Sequence, residues 1–526
     1  MADERAIFDV IVVGAGPVGA IAALLLGREG LNVLAVEAEV VPYDKPRAIG
    51  IDHESMRALQ KLGVMDDLAP YLGAYRASEY RSASGDVLRR IIPQPEPHPL
   101  SWPPYSTFIQ PELERLLRAA MVDHTSIDAR FGWRCERVTD DGEGVSVELL
   151  DPSGKRLTER ARYVVACDGA WSPVRESLGI SFEDLQFDEP WLVVDVHVND
   201  RSNLPDTTVQ YCDPSRPATL VHGPGDLCRW EIMLLPGEDP ADMVRDDAVW
   251  SLLSRWLRPG EGRLWRAATY RFHALVAESW GKGRVFIAGD AAHQTPPFMA
   301  QGLNQGIRDV INLSWKLAEV IRHGANPALL GSYETERRPN CRSVIELTKE
   351  LGRLICERDG ERAAERDRKL LDEMASGRGE IVRQDLLPPI ADGFLFRDAT
   401  GRLSPGAGVV FPQPVVEVDG AEGRMDDVLQ ARHLLVLDDA TAMDASVRER
   451  AMAMGIAVVA LDGGVLSPDV LRMRDPSRII TTMMGKYGAA AMLVRPDHLV
   501  FGSVSRMEDA GRLLSAFEVL RDREMA

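Results

Sequence analysis

The segment Gly14–Gly19 has glycine at its first, third and sixth positions, a spacing that suits a turn around a phosphate group. It follows an apolar stretch, Asp9–Val13, that is predicted to be a strand, and it opens a helix predicted to extend through Leu26. Glycine permits the tight turn and the close approach of backbone to a pyrophosphate, and the helix start offers free N–H groups. The residues assigned to this turn are Gly14, Gly16, Pro17 and Gly19.

An acidic residue stands where such a turn needs one. Glu37 ends a second predicted strand, Asn32–Val36, and lies 18 residues after Gly19. Its carboxylate can accept hydrogen bonds from both hydroxyls of an adenosine ribose, and it disfavours a 2′-phosphate. The order strand, turn, helix, strand and acid therefore predicts a site for FAD or NAD rather than NADP; a glycine-rich turn without a ligand is the alternative.

A second motif separates these two nucleotides. Arg284–His293 is predicted to be a strand that ends in Gly-Asp, and two prolines and a glycine-rich helix start follow it. An aspartate at a strand end can bond the ribityl hydroxyls of a flavin, and a helix start can direct N–H groups at the flavin pyrimidine, where the reduced ring is negative. NAD has neither group, so FAD is predicted; a buried aspartate that caps a helix is the alternative. The residues assigned here are Gly289, Asp290, Pro297, Gly302, Leu303 and Asn304.

The bulk composition limits the other functions. The chain has 526 residues, 45% of them apolar, and its net charge of −19 argues against a nucleic-acid partner. Its six cysteines are scattered without a Cys-x-x-Cys pair, so we expect no disulfide framework, no metal site, and reduced thiols in the cytoplasm. The uncharged stretch Val10–Gly27 is interrupted by glycines and is predicted to be a strand, a turn and a helix rather than a membrane span, so no membrane partner is expected.

The pattern of predicted elements changes along the chain. The first 77 residues alternate strand and helix, whereas residues 84–106 hold six prolines and predict neither a central strand nor a long helix. From Trp191 to Phe272, short alternating strands indicate a mostly antiparallel sheet. One of these strands places Trp230, Ile232 and Leu234 on one face.

Beyond this sheet the α/β pattern returns, and a smaller unit follows. No cysteine lies beyond Cys356, so this last unit cannot carry out dithiol chemistry and is predicted to be structural or to form a homodimer. Its order of elements resembles a thioredoxin-like domain. The predicted segments are an amphipathic helix around Ile307–Ile321, a charged helix at 357–369, a linker at 398–414, strands at His433–Leu437 and Ala457–Leu461, a hairpin around Arg495–His498, and a closing helix at Met507–Arg521.

These patterns predict a mixed α/β fold. It consists of a Rossmann-like FAD-binding domain, an inserted antiparallel-sheet substrate domain, and a C-terminal thioredoxin-like domain without redox cysteines. The predicted divisions are 1–180 for the first part of the FAD-binding domain, with 78–106 contributing to the substrate region, 181–275 for the substrate sheet, 276–397 for the second part of the FAD-binding domain and its helices, and 398–526 for the linker and the last domain.

The nucleotide motifs together resemble those of the class A flavoprotein aromatic hydroxylases. A third motif, Cys167–Arg175 (CDGAWSPVR), is similar to that family's Asp-Gly motif, which is implicated in binding both FAD and NAD(P)H. Nearly the whole chain resembles the 3-(3-hydroxyphenyl)propionate hydroxylase type, including the cysteine-free tail. The segments that carry this narrower resemblance are Pro46–Asp52, Phe108–Pro111, Trp191–Asp195 and Pro236–Glu238.

The resemblance implies roles for single residues. Arg47, a predicted catalytic residue, matches an arginine that lies near the FAD and helps govern its movement, with a surface salt bridge as the alternative. Gln110 matches a glutamine that contacts FAD, with a helix cap as the alternative. The other matching positions are Asp168 of the Asp-Gly motif, Asp290 as the ribityl-binding aspartate, and Leu303 and Asn304 where backbone N–H groups meet the flavin pyrimidine.

The resemblance also suggests a proton acceptor and pocket residues. Asp52 falls where related phenol hydroxylases hold an aspartate that takes the phenol proton, and a structural hydrogen bond at a helix start is the alternative. The next residue, His53, departs from the acidic residue of the family. Tyr211, His222 and Tyr270 lie on predicted strands of the middle sheet and are predicted to line the substrate pocket, against the alternative of core or surface positions.

The reaction that the resemblance implies is hydroxylation of a phenolic ring. NAD(P)H reduces FAD, O2 adds to the reduced flavin, and the flavin C4a-hydroperoxide transfers one oxygen atom ortho or para to the phenol hydroxyl. The implied partners are a small phenol such as 3-(3-hydroxyphenyl)propionate, O2, and NADH or NADPH. The alternatives are the same chemistry on a polyketide or other natural-product phenol, and a flavin-binding protein without catalysis. A flavin halogenase is disfavoured because the sequence lacks a Trp-x-Trp-x-Ile-Pro signature.

Overall fold

The predicted opening of strand, turn, helix and strand is confirmed in the computed structural model, which describes residues 7–439, 443–461 and 469–522. Strand β1 (Phe8–Val13) leads through the glycine turn into helix α1 (Pro17–Arg28), and strand β2 (Val33–Glu37) pairs with β1 in parallel. The elements that follow up to residue 180 are β3 (Gly50–Asp52), α2 (His53–Lys61), α3 (Met65–Leu68), β4 (Leu72–Ala74), β5 (Ser78–Arg81), β6 (Val87–Ile92), β7 (Tyr105–Phe108), α4 (Gln110–Asp123), β8 (Ile127–Phe131), β9 (Arg134–Asp140), β10 (Val145–Leu150), β11 (Arg156–Ala166) and α5 (Pro173–Ser177).

The middle of the chain forms the predicted antiparallel sheet, but its two principal strands are long rather than short. Strands β12 and β16 stay paired past two irregularities in their register, which bend the strands without ending them. The elements here are β12 (Phe182–Val198), β13 (Thr208–Tyr211), β14 (Ala218–His222), β15 (Leu227–Met233), α6 (Pro240–Met243), α7 (Asp246–Leu253) and β16 (Gly262–Ala277).

The chain then returns to the first domain, as predicted. The predicted helix α8 is buried on nearly all sides between Asn304 and Val320, and a charged helix, α10, follows it after α9. The elements are β17 (Gly281–Lys282), β18 (Val285–Ile287), β19 (His293–Gln294), α8 (Gly302–Arg322), α9 (Gly331–Cys356), α10 (Gly360–Ala375) and β20 (Glu380–Val382).

Two large sheets form the part of the protein that holds the predicted site residues. The first has the order β17-β18-β11-β1-β2-β8, is parallel from β18 to β8, and carries β9 and β10 as an antiparallel extension. The second has the order β19-β16-β12-β15-β14-β13-β5-β6-β20. A small sheet, β3-β7-β4, lies in the chain between the parts of the first sheet.

One expectation for the proline-rich stretch is wrong. Strand β6 pairs with β5 on one side and β20 on the other, so it is not an edge strand. The prolines begin only at Pro93, directly after this strand ends, so each residue of β6 keeps its backbone N–H. The segment therefore extends the antiparallel sheet before it turns into a proline-rich loop.

The C-terminal unit has its own sheet, with the order β22-β21-β25-β24-β23-β26-β27. Its parallel strands and its antiparallel terminal hairpin agree with the predicted thioredoxin-like order. Among the residues described, no helix is both long and apolar enough to cross a bilayer. The elements are β21 (Val415–Val418), β22 (Ala421–Arg424), α11 (Met425–Leu429), β23 (His433–Leu437), α12 (Ala445–Ala453), β24 (Ile456–Leu461), β25 (Leu471–Arg474), α13 (Ile479–Tyr487), β26 (Ala491–Val494), β27 (Val500–Val504) and α14 (Ala510–Asp522).

Candidate active site

The glycine turn is tight at two positions and open at the third. A Cβ at Gly19 would lie 1.8 Å from the carbonyl oxygen of Gly14, and Gly14 itself has a φ of +86°. At Gly16, by contrast, a Cβ would meet no protein atom within 4 Å. Gly16 is the N-cap of α1, whose first N–H groups point out of the helix. This combination of free donors and empty space fits a pyrophosphate.

The acid at the end of β2 is held at the same turn. The carboxylate of Glu37 accepts a hydrogen bond from the backbone N–H of Ala15 at 2.7 Å and another from Glu39 at 2.9 Å. These bonds fix the carboxylate beside the start of α1, where an adenosine ribose would follow the pyrophosphate. The position fits the predicted ribose contact.

The second nucleotide motif lies where β18 meets α8. Gly306 of α8 packs against Gly289, since a Cβ at Gly306 would lie 3.0 Å from the Cα of Gly289. Asp290 is exposed at this junction. The protein groups packed around its carboxyl group partly remove that group from water and so raise its pKa. The neighbouring His293 bonds Asp309 of α8 at 2.7 Å, so it holds the junction together. Asp290 is exposed, and Gly302 and Leu303 at the start of α8 are half-buried, so a ribityl chain and a flavin pyrimidine could reach them.

The loop that carries Arg47 is held by its backbone. The side-chain oxygen of Gln110 accepts hydrogen bonds from the N–H groups of Arg47 and Ala48 at 3.0 and 2.5 Å, and the Gln110 amide donates to Glu114. Gln110 thus positions this loop and does not cap α4, and its predicted contact with FAD stays a prediction. The Arg47 side chain is exposed and makes no ion pair in the described part of the chain, so its salt-bridge alternative is not observed.

The Asp-Gly motif forms a compact turn. Asp168 accepts hydrogen bonds from the hydroxyl of Ser172 at 2.6 Å and the N–H of Val174 at 3.1 Å, and burial raises the pKa of its carboxyl group. Gly169 follows with a φ of +83°, a conformation that favours glycine. Asp168 therefore shapes the turn through its own hydrogen bonds and leaves Trp171 88% exposed at the surface.

The long sheet turns a charged face toward this loop. Arg229 and Arg266 both pair with the buried carboxylate of Asp195, and both also donate to the carbonyl oxygen of Pro46. Arg229 donates further to the carbonyl oxygen of Arg47 at 2.8 Å. We call this side of the sheet the inner face. Its arginines join the substrate sheet to the Arg47 loop.

Of the three predicted pocket residues, only one lies on the inner face. Tyr270 accepts a hydrogen bond from Arg266 there. Tyr211 packs on the opposite face against Trp256 of the segment after α7. His222 lies in register with Cys228, which belongs to the apolar cluster on that opposite face. The prediction that Tyr211 and His222 line the pocket therefore does not fit their positions, because side chains alternate between the faces of a strand.

Asp52 occupies the N-cap of α2, as its alternative interpretation predicts. It is 2% exposed, accepts from the N–H of Ser55 at 3.0 Å and pairs with Arg308 at 2.6 Å. Burial would raise the pKa of this carboxyl group, but Arg308 and the Ser55 N–H outweigh it and hold the pKa below its usual value. A carboxylate that is already paired with an arginine and has a lowered pKa is a poor proton acceptor. The catalytic role of Asp52 stays a prediction, and the geometry weighs against it.

The variant Asp52→Asn tests that role directly. Asparagine is an equally good N-cap, so we expect intact FAD content and a fall in kcat of less than about tenfold, whereas loss of a general base costs about 100-fold or more. Single-turnover kinetics with a saturating phenol would measure this difference. A fall of two orders of magnitude would restore Asp52 as the proton acceptor.

Two ionisable residues near the inner face escaped the sequence analysis. Glu231 lies on β15 between Trp230 and Ile232, whose side chains face the other way. The same alternation that places those apolar residues on one face places Glu231 on the other, so the signal was present. Arg383, directly after β20, carried no signal, because the residues that it contacts, Met299 and Tyr105, are distant in sequence.

A separate cavity of about 770 Å³ lies between α8, α9 and the C-terminal unit. His53, Gln305 and Arg308 line one side of it, and Tyr487 and His498 line the other. The glycine turn, Glu37 and Asp290 do not border it. It is thus distinct from the space that the nucleotide motifs surround.

Comparison with known protein families covers both halves of the chain. A family described as "FAD binding domain" matches residues 8–348, and one described as "HcaD C-terminal domain" matches residues 408–519. A 3-(3-hydroxy-phenyl)propionate/3-hydroxycinnamic acid hydroxylase of Klebsiella pneumoniae (strain 342) is 32% identical, with 94% of this chain and 91% of the relative covered. A probable NADH-specific resorcinol 4-hydroxylase of Rhodococcus jostii (strain RHA1) is 33% identical, with 95% and 92% covered.

Solved structures show the same architecture. The flavin-dependent monooxygenase PieE, in complex with FAD and substrate, superposes with a TM-score of 0.80 at 21% identity and covers 99% of both chains. Aklavinone-11 hydroxylase, in a ternary complex with FAD and aklavinone, superposes with a TM-score of 0.78 at 26% identity and covers 99% of this chain and 100% of its own. The fold is thus shared along nearly the full length of the chain.

Proposed function

The chain belongs to the FAD-binding family of flavin-dependent aromatic hydroxylases, and from this premise we propose that it hydroxylates the ring of a phenolic carboxylic acid similar to 3-(3-hydroxyphenyl)propionate, with NAD(P)H and O2 as co-substrates. The enzyme is a FAD-dependent monooxygenase. The observation that supports the substrate class is a buried arginine without an acidic partner, Arg383.

The chain's own residues supply a holder for the cofactor. When bound, FAD accepts electrons from NAD(P)H and activates O2. The free N–H groups after Gly16 and the carboxylate of Glu37 would hold its pyrophosphate and ribose, and Asp290 and the start of α8 would hold its ribityl chain and pyrimidine. The exposed guanidinium of Arg47 stands free beside this holder.

The protein also supplies an apolar enclosure for the ring. Trp191 and Phe272 stack on the inner face with ring centroids 5.8 Å apart, and Phe298, from the segment before α8, meets both edge-on. These rings join the antiparallel sheet to the flavin side of the site. Such a wall excludes water from the reacting ring.

Arg383 is the cation that would recognise a carboxylate. It is 4% exposed, lies over the ring of Tyr105 at 4.1 Å from the centroid, and donates to the carbonyl oxygen of Met299. No carboxylate of the described residues pairs with it. A buried guanidinium without an anion is costly, and the aromatic ring offsets only part of this cost. A substrate carboxylate would complete its coordination with charge-assisted hydrogen bonds.

The variant Arg383→Met is expected to raise KM for 3-(3-hydroxyphenyl)propionate about 10- to 100-fold, because a hydrogen bond to a charged group contributes about 1.5–3 kcal/mol. KM for its uncharged methyl ester should change little. Steady-state NAD(P)H oxidation, with the hydroxylated product identified by mass, measures both. Arg383→Lys should recover part of the affinity, since it restores the charge without the planar fork.

A matched control is Arg130→Met. Arg130 also lies over an aromatic ring, that of Trp133 at 4.9 Å, but it pairs with Asp128 and Glu159 on the far side of the first sheet. Its replacement should leave both KM values unchanged. Equal losses for acid and ester in Arg383→Met would contradict the carboxylate contact.

A larger natural-product phenol is the second candidate substrate. The likeness to aklavinone-11 hydroxylase along the full chain favours it. A panel that contains phenylpropionates, resorcinol and polycyclic phenols would rank the candidates by kcat/KM. A yellow protein that oxidises NAD(P)H with none of them would instead support a flavin-binding role without catalysis.

The cellular setting and the assembly remain proposals. The six cysteines are all free, which supports a reducing compartment such as the cytoplasm. We propose that the C-terminal unit is structural and that it contributes to a homodimer. Light scattering of the purified protein tests the assembly.

A further inference from the structure

Glu231 lies on the inner face of the antiparallel sheet. Its strand neighbours are Val193 on β12 and Thr219 on β14, and Thr219 in turn lies in register with Gln210. The residue before it along the same face, Arg229, contacts the Arg47 loop. The residue after it, Met233, belongs with Trp191 to the main core of the first domain. Along the inner face, Glu231 thus lies between the Arg47 loop and the aromatic rings that include Trp191.

The carboxylate of Glu231 is buried without a partner. Glu231 is 7% exposed, and its side chain makes no hydrogen bond or ion pair with any residue that the structure describes, while its backbone pairs with β12 and β14. The neighbouring guanidinium groups of Arg229 and Arg266 pair with Asp195 and donate to the carbonyl oxygen of Pro46, and the buried Nε of Arg266, which has no partner, does not bond Glu231 either. Buried polar groups almost always have a hydrogen-bond partner. An unpaired carboxylate at this place therefore indicates that a bound ligand donates a hydrogen bond to it.

The surroundings of Glu231 suit a proton acceptor. Burial raises the pKa of its carboxyl group to about 7, with Asp195 adding to the rise and Arg229 opposing it. The other titratable groups that face it are Arg266 and Tyr270 on β16 and Tyr105 on β7. A carboxylate with a pKa near the working pH takes up a proton far more readily than Asp52, which is paired and acidic.

We propose that Glu231 is the residue that accepts the proton of the substrate's ring hydroxyl. In this step the phenol O–H bond breaks, its electron pair stays on the ring oxygen, and a new O–H bond forms on the Glu231 carboxylate. The phenolate that results is more nucleophilic at its ortho and para carbons. The proton returns to the ring oxygen when the hydroxylated ring loses its C–H proton and becomes aromatic again. This inference rests on the proposed function and deepens it.

The location also fits the substrate orientation given by Arg383. Tyr105 interacts electrostatically with Glu231, and the guanidinium of Arg383 lies over its ring, so both charged groups neighbour the same tyrosine. A phenolic acid has its carboxylate and its ring hydroxyl at opposite ends. The cation can therefore take the carboxylate while Glu231 takes the hydroxyl.

The test compares Glu231→Gln with the wild type on two substrates. One is 3-(3-hydroxyphenyl)propionate, whose hydroxyl is protonated at the assay pH, and the other is its ring-nitrated analogue, whose hydroxyl is already ionised. We expect kcat for the first substrate to fall about 100-fold or more, as general-base losses do, and kcat for the nitrated substrate to change less than about threefold. Glu231→Asp should recover part of the loss. Visible absorbance of bound FAD confirms that each variant is folded.

The matched control is Glu159→Gln. Glu159 is equally buried, at 7% exposure, but pairs with Arg130 on the far side of the first sheet. The Glu159→Gln variant should turn over both substrates at the wild-type rate. Equal losses on both substrates in Glu231→Gln, or no loss on either, would overturn the proposal. If the wild type hydroxylates neither substrate nor any other phenol, the proposed function fails, and the role of Glu231 with it.

Discussion

Replacement of Gly16 with valine is expected to give a folded protein that no longer retains FAD. The protein itself leaves room for the side chain, since a Cβ there meets no atom within 4 Å. The same space is where the N–H groups of α1 would bind the pyrophosphate. Loss of about two hydrogen bonds to a charged group weakens FAD binding about 100-fold or more. Flavin content after gel filtration, and titration of the apoprotein with FAD, measure the change.

Two further glycines sharpen this test. Gly19→Ala places a Cβ 1.8 Å from the carbonyl oxygen of Gly14, so we expect it to lower the melting temperature of the apoprotein as well as its FAD content. Gly331→Ala, at the start of α9 and also in open space, should change neither. Wild-type affinity for FAD in Gly16→Val would show that the nucleotide does not occupy this turn.

Replacement of Glu336 with glutamine is expected to cost about 3–5 kcal/mol of unfolding free energy, the range for breaking one partner out of a buried ion pair. Glu336 of α9 pairs with Arg495 at 2.7 Å and with Lys316 of α8 at 2.9 Å, and Arg495 pairs further with Asp497. All four groups are essentially inaccessible to water. The variant would leave two cations with one carboxylate in the interior. Urea denaturation followed by tryptophan fluorescence measures the loss.

The same cluster predicts an acid-dependent loss of stability. Arg495 and Lys316 outweigh burial and hold the pKa of Glu336 at about 2, against an ordinary value of 4.5. Between these pH values the unfolded chain binds the proton more readily than the native chain, so stability falls as the pH falls from about 4.5 to about 2. Glu336→Gln should lack this component of the pH dependence. An exposed pair, Arg353 and Glu350, offers a control: Glu350→Gln should cost less than about 1 kcal/mol.

The nucleotide holder could be predicted from sequence because its chemistry is local. The glycine spacing, the acid at the end of β2 and the Gly-Asp before α8 each act through backbone that lies within a few residues. The alternation in β15 was equally local, and it correctly placed Trp230, Ile232 and Leu234 together. Applied to the intervening residues, it would also have placed Glu231 on the inner face.

The contacts that could not be predicted from the sequence join residues that lie far apart along the chain. Glu336 and Arg495 are 159 positions apart, and Arg308 reaches Asp52 across 256. Such pairs follow from tertiary packing, which composition and periodicity do not encode. The predicted pocket positions of Tyr211 and His222 do not fit the structure for a related reason. The face on which a strand residue lies depends on the register of strands that pair only after folding.

Arg229 and Arg266 bind the Arg47 loop through its carbonyl oxygens rather than through its side chains, which has a consequence for how this enzyme can vary. The main chain at Pro46 and Arg47 is fixed from the sheet side, and Gln110 fixes it from the helix side, while nothing in the described protein restrains the Arg47 guanidinium. Side chains on this loop can therefore be exchanged to retune the cofactor's environment without loosening the scaffold. Substitutions at position 47 should therefore leave the loop folded, whereas substitutions at 229 or 266 should loosen it.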